Sequence, residues 1–338
     1  MAQAKPSIEV SPLKLQQDLW GMLATQAILA GIQHDVFTII AEGNRTAKDI
    51  ARKAKASARG VRILLDALTG LGYLTKKGDK YGLEPISDTF LVRGKPSYMG
   101  DMSATAKLTH AGWANLGEVV KTGKSAASVD AEAGGKEFFP KLVAALFPGS
   151  FNASRTAVAA LPAKTRNGIK RIMDVAAGSG AWSIAFAQAI PEARVTVVDF
   201  PEVTPITREF TQKFGVADRY DYVEQNLREA DFGKNEYDLI ILGHIIHSEG
   251  EKWGKNLVKK SYRALKEGGL LLIAEMVPND TRTGPIIPLL FALNMLVHTN
   301  DGDVFTLKEY REWLKGAGFK KVTTIANPGP SPLILATK

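Results

Sequence analysis

The chain has 338 residues, more than one hydrophobic core usually serves, so two domains are expected. Its 45% apolar and 23% charged composition excludes a disordered or membrane-embedded chain, and no apolar run reaches the ~18 residues a bilayer span needs. With no cysteine there are no disulfides, thiolate metal sites or cysteine nucleophile, and the net charge of +8 permits anionic partners without demanding them.

The opening "MAQAKPSIEVSPLKLQQDLW" has no basic stretch leading into an apolar one, so it does not read as a secretory signal, and a cytoplasmic protein is expected. Residues 11–43 carry apolar positions at mixed spacings of three and four, which marks helices. Thr46 with Asp49, and then Ser57, are start signals for two further helices; the second turns Val61, Leu64, Leu65 and Leu68 to one face and stops at Gly70 or Gly72. "YLTKKGDKYGL" follows as two short strands around a Gly-Asp turn. Helix, helix and hairpin make a winged helix-turn-helix. Residues 95–164 read as helical, with an Ala/Gly/Ser-rich loop near "GKSAASVDAEAGGKEF". Beyond them, short and nearly all-apolar strands alternate with helices, the pattern of a mostly parallel sheet covered on both faces. The expected division is a helical winged-helix domain at 1–100, a helical linker at 101–165 that contributes to a substrate pocket, and an α/β, Rossmann-like domain at 166–338.

The informative motif is "DVAAGSGAWSIAFAQAIPEARVTVVDF". A strand carries Asp174 at its end, the following turn carries Gly178 and Gly180, a helix follows, and the next strand ends at Asp199. Glycines let a cofactor approach the backbone where strand becomes helix, and an acid about twenty residues on can accept hydrogen bonds from ribose hydroxyls. A dinucleotide fingerprint would have Gly or Ala where Ser183 stands, and Asp174 would repel a pyrophosphate while suiting a cationic ligand. A phosphate-binding Gly-x-x-x-x-Gly-Lys-Ser/Thr loop is absent, since Gly123-Lys124-Ser125 has Glu118 where that loop needs its first glycine.

"DVAAGSG", "VTVVDFPEV", "LIILGHIIHSEGEKWG", "KEGGLLLIAEMVP" and "NMLVHTNDGDVFTLKEYREWLKGAGF" occur in the order of a known family. Over nearly its whole length the chain resembles the S-adenosylmethionine-dependent O-methyltransferases that carry an N-terminal winged-helix dimerisation domain. The resemblance implies a seven-stranded methyltransferase sheet, S-adenosylmethionine as cofactor, a small-molecule acceptor and a homodimer through the N-terminal domain. It assigns Asp174, Gly178 and Gly180 to the methionyl part of the cofactor and Asp199 to the ribose. Phe200, Asn226, Leu227 and His244 complete the cofactor contacts; Asn226 stands where the family usually has Asp.

The resemblance also makes His247 the general base, within His-Ser-Glu where the family has His-Asp-Trp. Ser248 and Glu251 are expected to cap the helix that follows. One orienting glutamate matches Glu275; where a second belongs, Val304 stands, with Asp301 and Asp303 nearby. Arg155, Asn294 and His298 fall on positions that line the substrate pocket. A metal held by His244, His247 and Glu275 is not expected, because a strand end makes that convergence strained and the family is metal-independent.

Two readings compete with methyl transfer to a hydroxyl. The same fold could methylate sulfur, nitrogen or carbon of a small carboxylated or thioether/thiol substrate, toward which the loss of the second glutamate points. A DNA-binding regulator would instead turn Lys48, Arg52, Lys53, Lys55 and Arg59 to phosphates.

Overall fold

The computed structural model describes residues 11–95, 97–126, 132–327 and 329–338. It divides into two compact units, Met1–Ser103 and Ala104–Lys338.

The first unit runs α1 (Leu13–Leu19), α2 (Gly21–Gln33), α3 (Val36–Ala41), α4 (Ala47–Lys53), α5 (Ala58–Gly70), β1 (Leu74–Lys77), β2 (Lys80–Leu83) and α6 (Pro85–Phe90). Both predicted start signals are used: the Thr46 hydroxyl accepts Asp49 N–H and the Ser57 hydroxyl accepts Gly60 N–H, each satisfying a donor that a helix start leaves orphaned. Val61, Leu65 and Leu68 of α5 then lie on one buried face with Phe37, Ile50, Leu74 and Tyr81. β1 and β2 pair antiparallel, from Leu74 opposite Leu83 to Lys77 opposite Lys80, which completes the winged helix. In contrast, α1 contributes no buried residue.

Helix α7 (Met102–Ala114) begins at the end of the first unit and continues into the second, which goes on with α8 (Leu116–Thr122), α9 (Glu132–Ala160) and α10 (Ala163–Gly168). The Ala/Gly/Ser-rich stretch expected as a loop falls partly on 127–131, outside the described residues; from Glu132 onward it is helical, the first turns of α9. The α/β part follows as β3 (Arg171–Val175), α11 (Ala181–Ala189), β4 (Arg194–Asp199), α12 (Thr204–Lys213), β5 (Tyr220–Glu224), β6 (Tyr237–Gly243), α13 (Ile246–Ala264), β7 (Leu265–Ala274), α14 (Ile286–His298), α15 (Leu307–Ala317), β8 (Lys321–Ile325) and β9 (Leu333–Thr337).

The seven strands lie in the order β5-β4-β3-β6-β7-β9-β8. All neighbours are parallel except β9, which pairs antiparallel with β7 and β8. Successive strand residues bury on opposite faces: Ile172, Leu239, Ile241 and Leu272 in one core, Met173, Ile240, Leu242 and Leu271 in the other. That two-sided burial is why these strands read as unbroken apolar runs. The chain travels outward from β3 through β4 to β5, then returns to add β6 on the other side. This reversal leaves a crevice beyond the carboxyl ends of β3, β4 and β6, the usual ligand position in such sheets. Among the described residues, no helix is long and apolar enough to cross a membrane.

Candidate active site

Three residues of the turn after β3 have positive φ: Ala176 (53°), Gly178 (59°) and Gly180 (72°). A Cβ on Gly178 would sit 3.0 Å from Val143 and one on Gly180 3.0 Å from Thr207, so the turn is both conformationally and sterically selective for glycine. Gly178 N–H donates to Asp199 Oδ2 (2.7 Å) and Phe200 N–H to Asp199 Oδ1 (2.8 Å). Asp199 thereby ties the turn to the end of β4. Two N–H donors use only half of a carboxylate's acceptor capacity, so lone pairs remain for hydroxyl donors. Burial pushes the Asp199 carboxyl up to about 6, against the opposing pull of those two hydrogen bonds.

Asp174 is more demanding. Its Oδ2 accepts Ser183 N–H (3.2 Å), while Oδ1 is buried with no hydrogen-bond partner. Burial pushes this carboxyl up to about 7, Ser183 opposing and the Asp199 charge adding. A buried carboxylate oxygen without a donor is a place for a ligand that brings a positive charge or an N–H. On the far side of Asp199, Phe200 keeps 38% of its surface exposed and Leu227 is buried. Asn226 Oδ1 accepts Arg228 N–H (3.0 Å), which leaves its side-chain amide donors available.

At the end of β6, His244 adopts φ 59° and donates its N–H to Ala274 O (2.8 Å), the last residue of β7. His247 sits in the first turn of α13, where a helix leaves backbone donors unpaired. Glu275 answers both needs: Oε1 accepts His247 N–H (3.2 Å) and Oε2 lies 2.6 Å from His247 Nδ1. Burial alone would raise the Glu275 carboxyl, but the His247 charge and hydrogen bonds, with His244, hold it below the usual glutamate value. An ionised Glu275 selects the tautomer with the proton on Nδ1, so Nε2 carries the lone pair. His244 is partly exposed; desolvation lowers its pKa, the Glu275 charge opposing.

Val304 is buried and supplies no second carboxylate. The backbone beside it does the holding: Asp303 N–H donates to His247 O (2.9 Å), and the Asp303 carboxylate turns back to Val304 N–H (2.7 Å). The expected cap is corrected. The 246–264 span is two helical segments joined by a kink at Gly250. Ile245 precedes the first without a side-chain cap, Ser248 lies in that first segment, and Glu251, just after the kink, pairs with Lys255 instead. Glu275 takes the capping role from outside the helix.

Phe291 meets the His247 ring edge-on at 4.8 Å. Asn294 and His298 follow at spacings of three and four, so they share the face of α14 that Phe291 presents to His247. Asn294 Oδ1 accepts Trp113 Nε1–H (3.0 Å), and buried His298 packs where a Cβ on Gly112 would lie 2.6 Å from its ring. Arg155 is exposed on α9; its neighbour Ser154 is buried and donates to Trp182 O (2.6 Å).

Comparison with known proteins fits this geometry. Residues 147–320 match the O-methyltransferase domain and residues 17–93 the O-methyltransferase dimerisation domain. The chain is 30% identical to the 3-hydroxy-5-methyl-1-naphthoate 3-O-methyltransferase of Streptomyces sahachiroi, over 98% of this chain and 97% of that one. The chain belongs to the S-adenosylmethionine-dependent O-methyltransferase family. A solved structure of a candidate O-methyltransferase of Nostoc punctiforme superposes with a TM-score of 0.89 at 28% identity, covering 97% of this chain and 99% of that one. Human N-acetylserotonin methyltransferase, solved in complex with S-adenosylmethionine, shares the fold with a TM-score of 0.85 at 24% identity over 99% of each chain.

For this methyltransferase, sequence reasoning passed over three aromatic residues. Trp182, buried and 5.9 Å from the His244 ring, carried a signal as the bulky residue in the first turn of the helix that follows the glycine turn. Phe291 is legible as the residue one helical turn before Asn294. Trp113 carried none, because its contact with Asn294 spans 181 positions. The rejected convergence is also present: His244, His247 and Glu275 bring ligating atoms within 4.8 Å of one another, and the positive φ of His244 is where the expected strain is taken up.

Proposed function

We propose that this enzyme methylates a hydroxyl of a small aromatic acceptor, with His247 as general base oriented by Glu275. The observation that carries the reading is the double engagement of His247 by Glu275, which fixes the ring and leaves Nε2 free to accept a proton. S-adenosylmethionine supplies, when bound, a methyl group on a positively charged sulfur. Asp199 would hold its ribose through the unused lone pairs, Asp174 with Gly178 and Gly180 its methionyl end, and Phe200, Asn226 and Leu227 its adenine.

A phenol titrates near pH 10, so its oxygen is a poor nucleophile at neutral pH until a base takes the proton. His247 Nε2 takes it, and the Glu275 anion stabilises the imidazolium that forms; a base of this kind commonly contributes ~10²–10⁴ in rate. Phe291 offers an aromatic wall, while Asn294 and His298 offer polar groups beside it. The Streptomyces naphthoate enzyme supports an aromatic hydroxy acceptor. Buried Val304 favours one second reading, an acceptor acidic enough, or a thiol, to need less help from the base. A homodimer through residues 17–93 and a cytoplasmic location, where the cofactor is made, belong to the same proposal.

Calorimetric titration with S-adenosylhomocysteine is the first test. Micromolar binding by the wild type, lost in Asp199→Ala, is expected; no binding by the wild type overturns the reading. With phenolic acceptors, His247→Ala should lower kcat by ~10²–10⁴ and leave S-adenosylhomocysteine affinity within a few-fold of wild type. A variant with wild-type kcat removes His247 from the mechanism.

A further inference from the structure

We propose that His244, His247 and Glu275 form a binding site for one divalent transition-metal ion, with zinc the best match, and that its occupancy switches the base off. Two imidazoles and one carboxylate are a recurrent zinc donor set, with a fourth position open to water. Ligands of one zinc ion stand ~3.4 Å apart for bonds of ~2.0–2.1 Å in tetrahedral geometry. Here the His247 Nδ1–Glu275 Oε2 pair is 2.6 Å apart and all three ligating atoms lie within 4.8 Å of one another. One contact must open and another close by roughly an ångström, within the reach of side-chain rotation.

The three groups stand on well-fixed backbone. His244 and Glu275 follow the paired ends of β6 and β7, where Gly243 lies opposite Ala274, and His247 is locked into the first turn of α13 by Glu275 and Asp303. His247 and Glu275 are buried, whereas His244 is partly exposed and provides the side from which an ion enters. The left-handed backbone at His244 is a local cost retained next to a functional group, where such strain tends to persist.

Metal binding and base catalysis exclude each other whichever His247 nitrogen is used. A neutral imidazole has one lone pair and one N–H; a metal on the lone pair leaves only the N–H, which cannot accept a phenolic proton. The site itself stands without the proposed methyl transfer, and only the switching consequence rests on that reading.

The test is titration of tag-free, EDTA-treated and dialysed protein with zinc chloride by calorimetry, without cofactor or acceptor. One zinc per chain is expected in the wild type, with affinity at least tenfold weaker in His244→Asn and in Glu275→Gln. No binding, or equal affinity in folded variants, overturns the site. If a variant fails to fold, cobalt(II) on the wild type decides alone: absorption bands of a four-coordinate nitrogen/oxygen site support the proposal and their absence overturns it. In the methyl-transfer assay, one equivalent of zinc should lower the rate at least tenfold and EDTA restore it; an unchanged rate with the site filled overturns the switch. A protein that binds zinc here but methylates nothing would count against the function proposed above and not against the metal site.

Discussion

Two buried carboxylates stand at the carboxyl ends of β3 and β4, and their titration gives the molecule a pH signature. Asp174 and Asp199 are raised from 3.8 to about 7 and about 6, burial being the first cause of both. A raised acid favours the fold fully below its unfolded pKa; as pH climbs toward the folded value, the unfolded chain ionises first and that stability is lost. The ligand-free enzyme should therefore lose thermal stability between pH ~4 and ~7 through these groups, and Asp174→Asn should flatten the fall by several degrees. Ribose hydroxyls and a cationic ligand favour the ionised forms, so binding near pH 6 should release protons. Calorimetry with S-adenosylhomocysteine in two buffers of different ionisation enthalpy measures this. Equal proton release by wild type and Asp174→Asn would remove Asp174 from the cofactor site. At this scale the sequence was most legible: Asp174, Asp199 and Glu275 stand at or next to a strand end and His247 in the helical turn that follows one, and strand ends are visible as the close of an apolar run. Val304 was legible as a departure but not as a solution, because the compensating contact is made by the backbone of Asp303, which side-chain identity does not reveal.

The element that matters most to the proposed base is α13, and Gly250 is its weak point. Gly250 has φ 72° within the helical span, three residues after His247, and a Cβ there would lie 2.2 Å from the Asp301 carbonyl oxygen. Gly250→Ala therefore has no free conformation and no free space, and should destabilise the fold by ~2–4 kcal/mol while lowering kcat through displacement of His247. Gly316 in α15 is the control: nothing lies within 4 Å of its added Cβ, so Gly316→Ala should be neutral or stabilise by ~0.5–1 kcal/mol. Urea unfolding midpoints compare the two, and a Gly250→Ala protein as stable as Gly316→Ala would refute the packing argument. The sequence disclosed every strand of the sheet and the paired helices of the first unit, since periodicity and caps are local. It misplaced the cap of α13 because Glu275, the group that satisfies the helix start, lies 28 residues downstream. Long-range partners of this kind leave no mark in local spacing.

At the scale of the whole molecule, α1 and the start of α2 pose the remaining question. Leu13, Leu15, Leu19, Trp20, Met22 and Leu23 are each 56–69% exposed, and a seven-residue helix with no buried residue has little reason to persist alone in water. These residues fall in or beside the segment matching the dimerisation domain, residues 17–93. A soluble monomer rarely leaves so many large apolar side chains together on its surface. Burying one of them contributes ~1.5–3 kcal/mol, so six from each protomer can outweigh the ~4–15 kcal/mol that association costs. The enzyme should therefore run as a dimer in size-exclusion chromatography with light scattering at micromolar concentration. Leu19→Glu combined with Trp20→Glu should shift it to the monomer mass, with the far-UV spectrum of the α/β unit retained, because neither side chain contributes to a core. A wild-type protein that is monomeric at that concentration, or a double variant that stays dimeric, would show that these helices are covered by something other than a second copy of the chain.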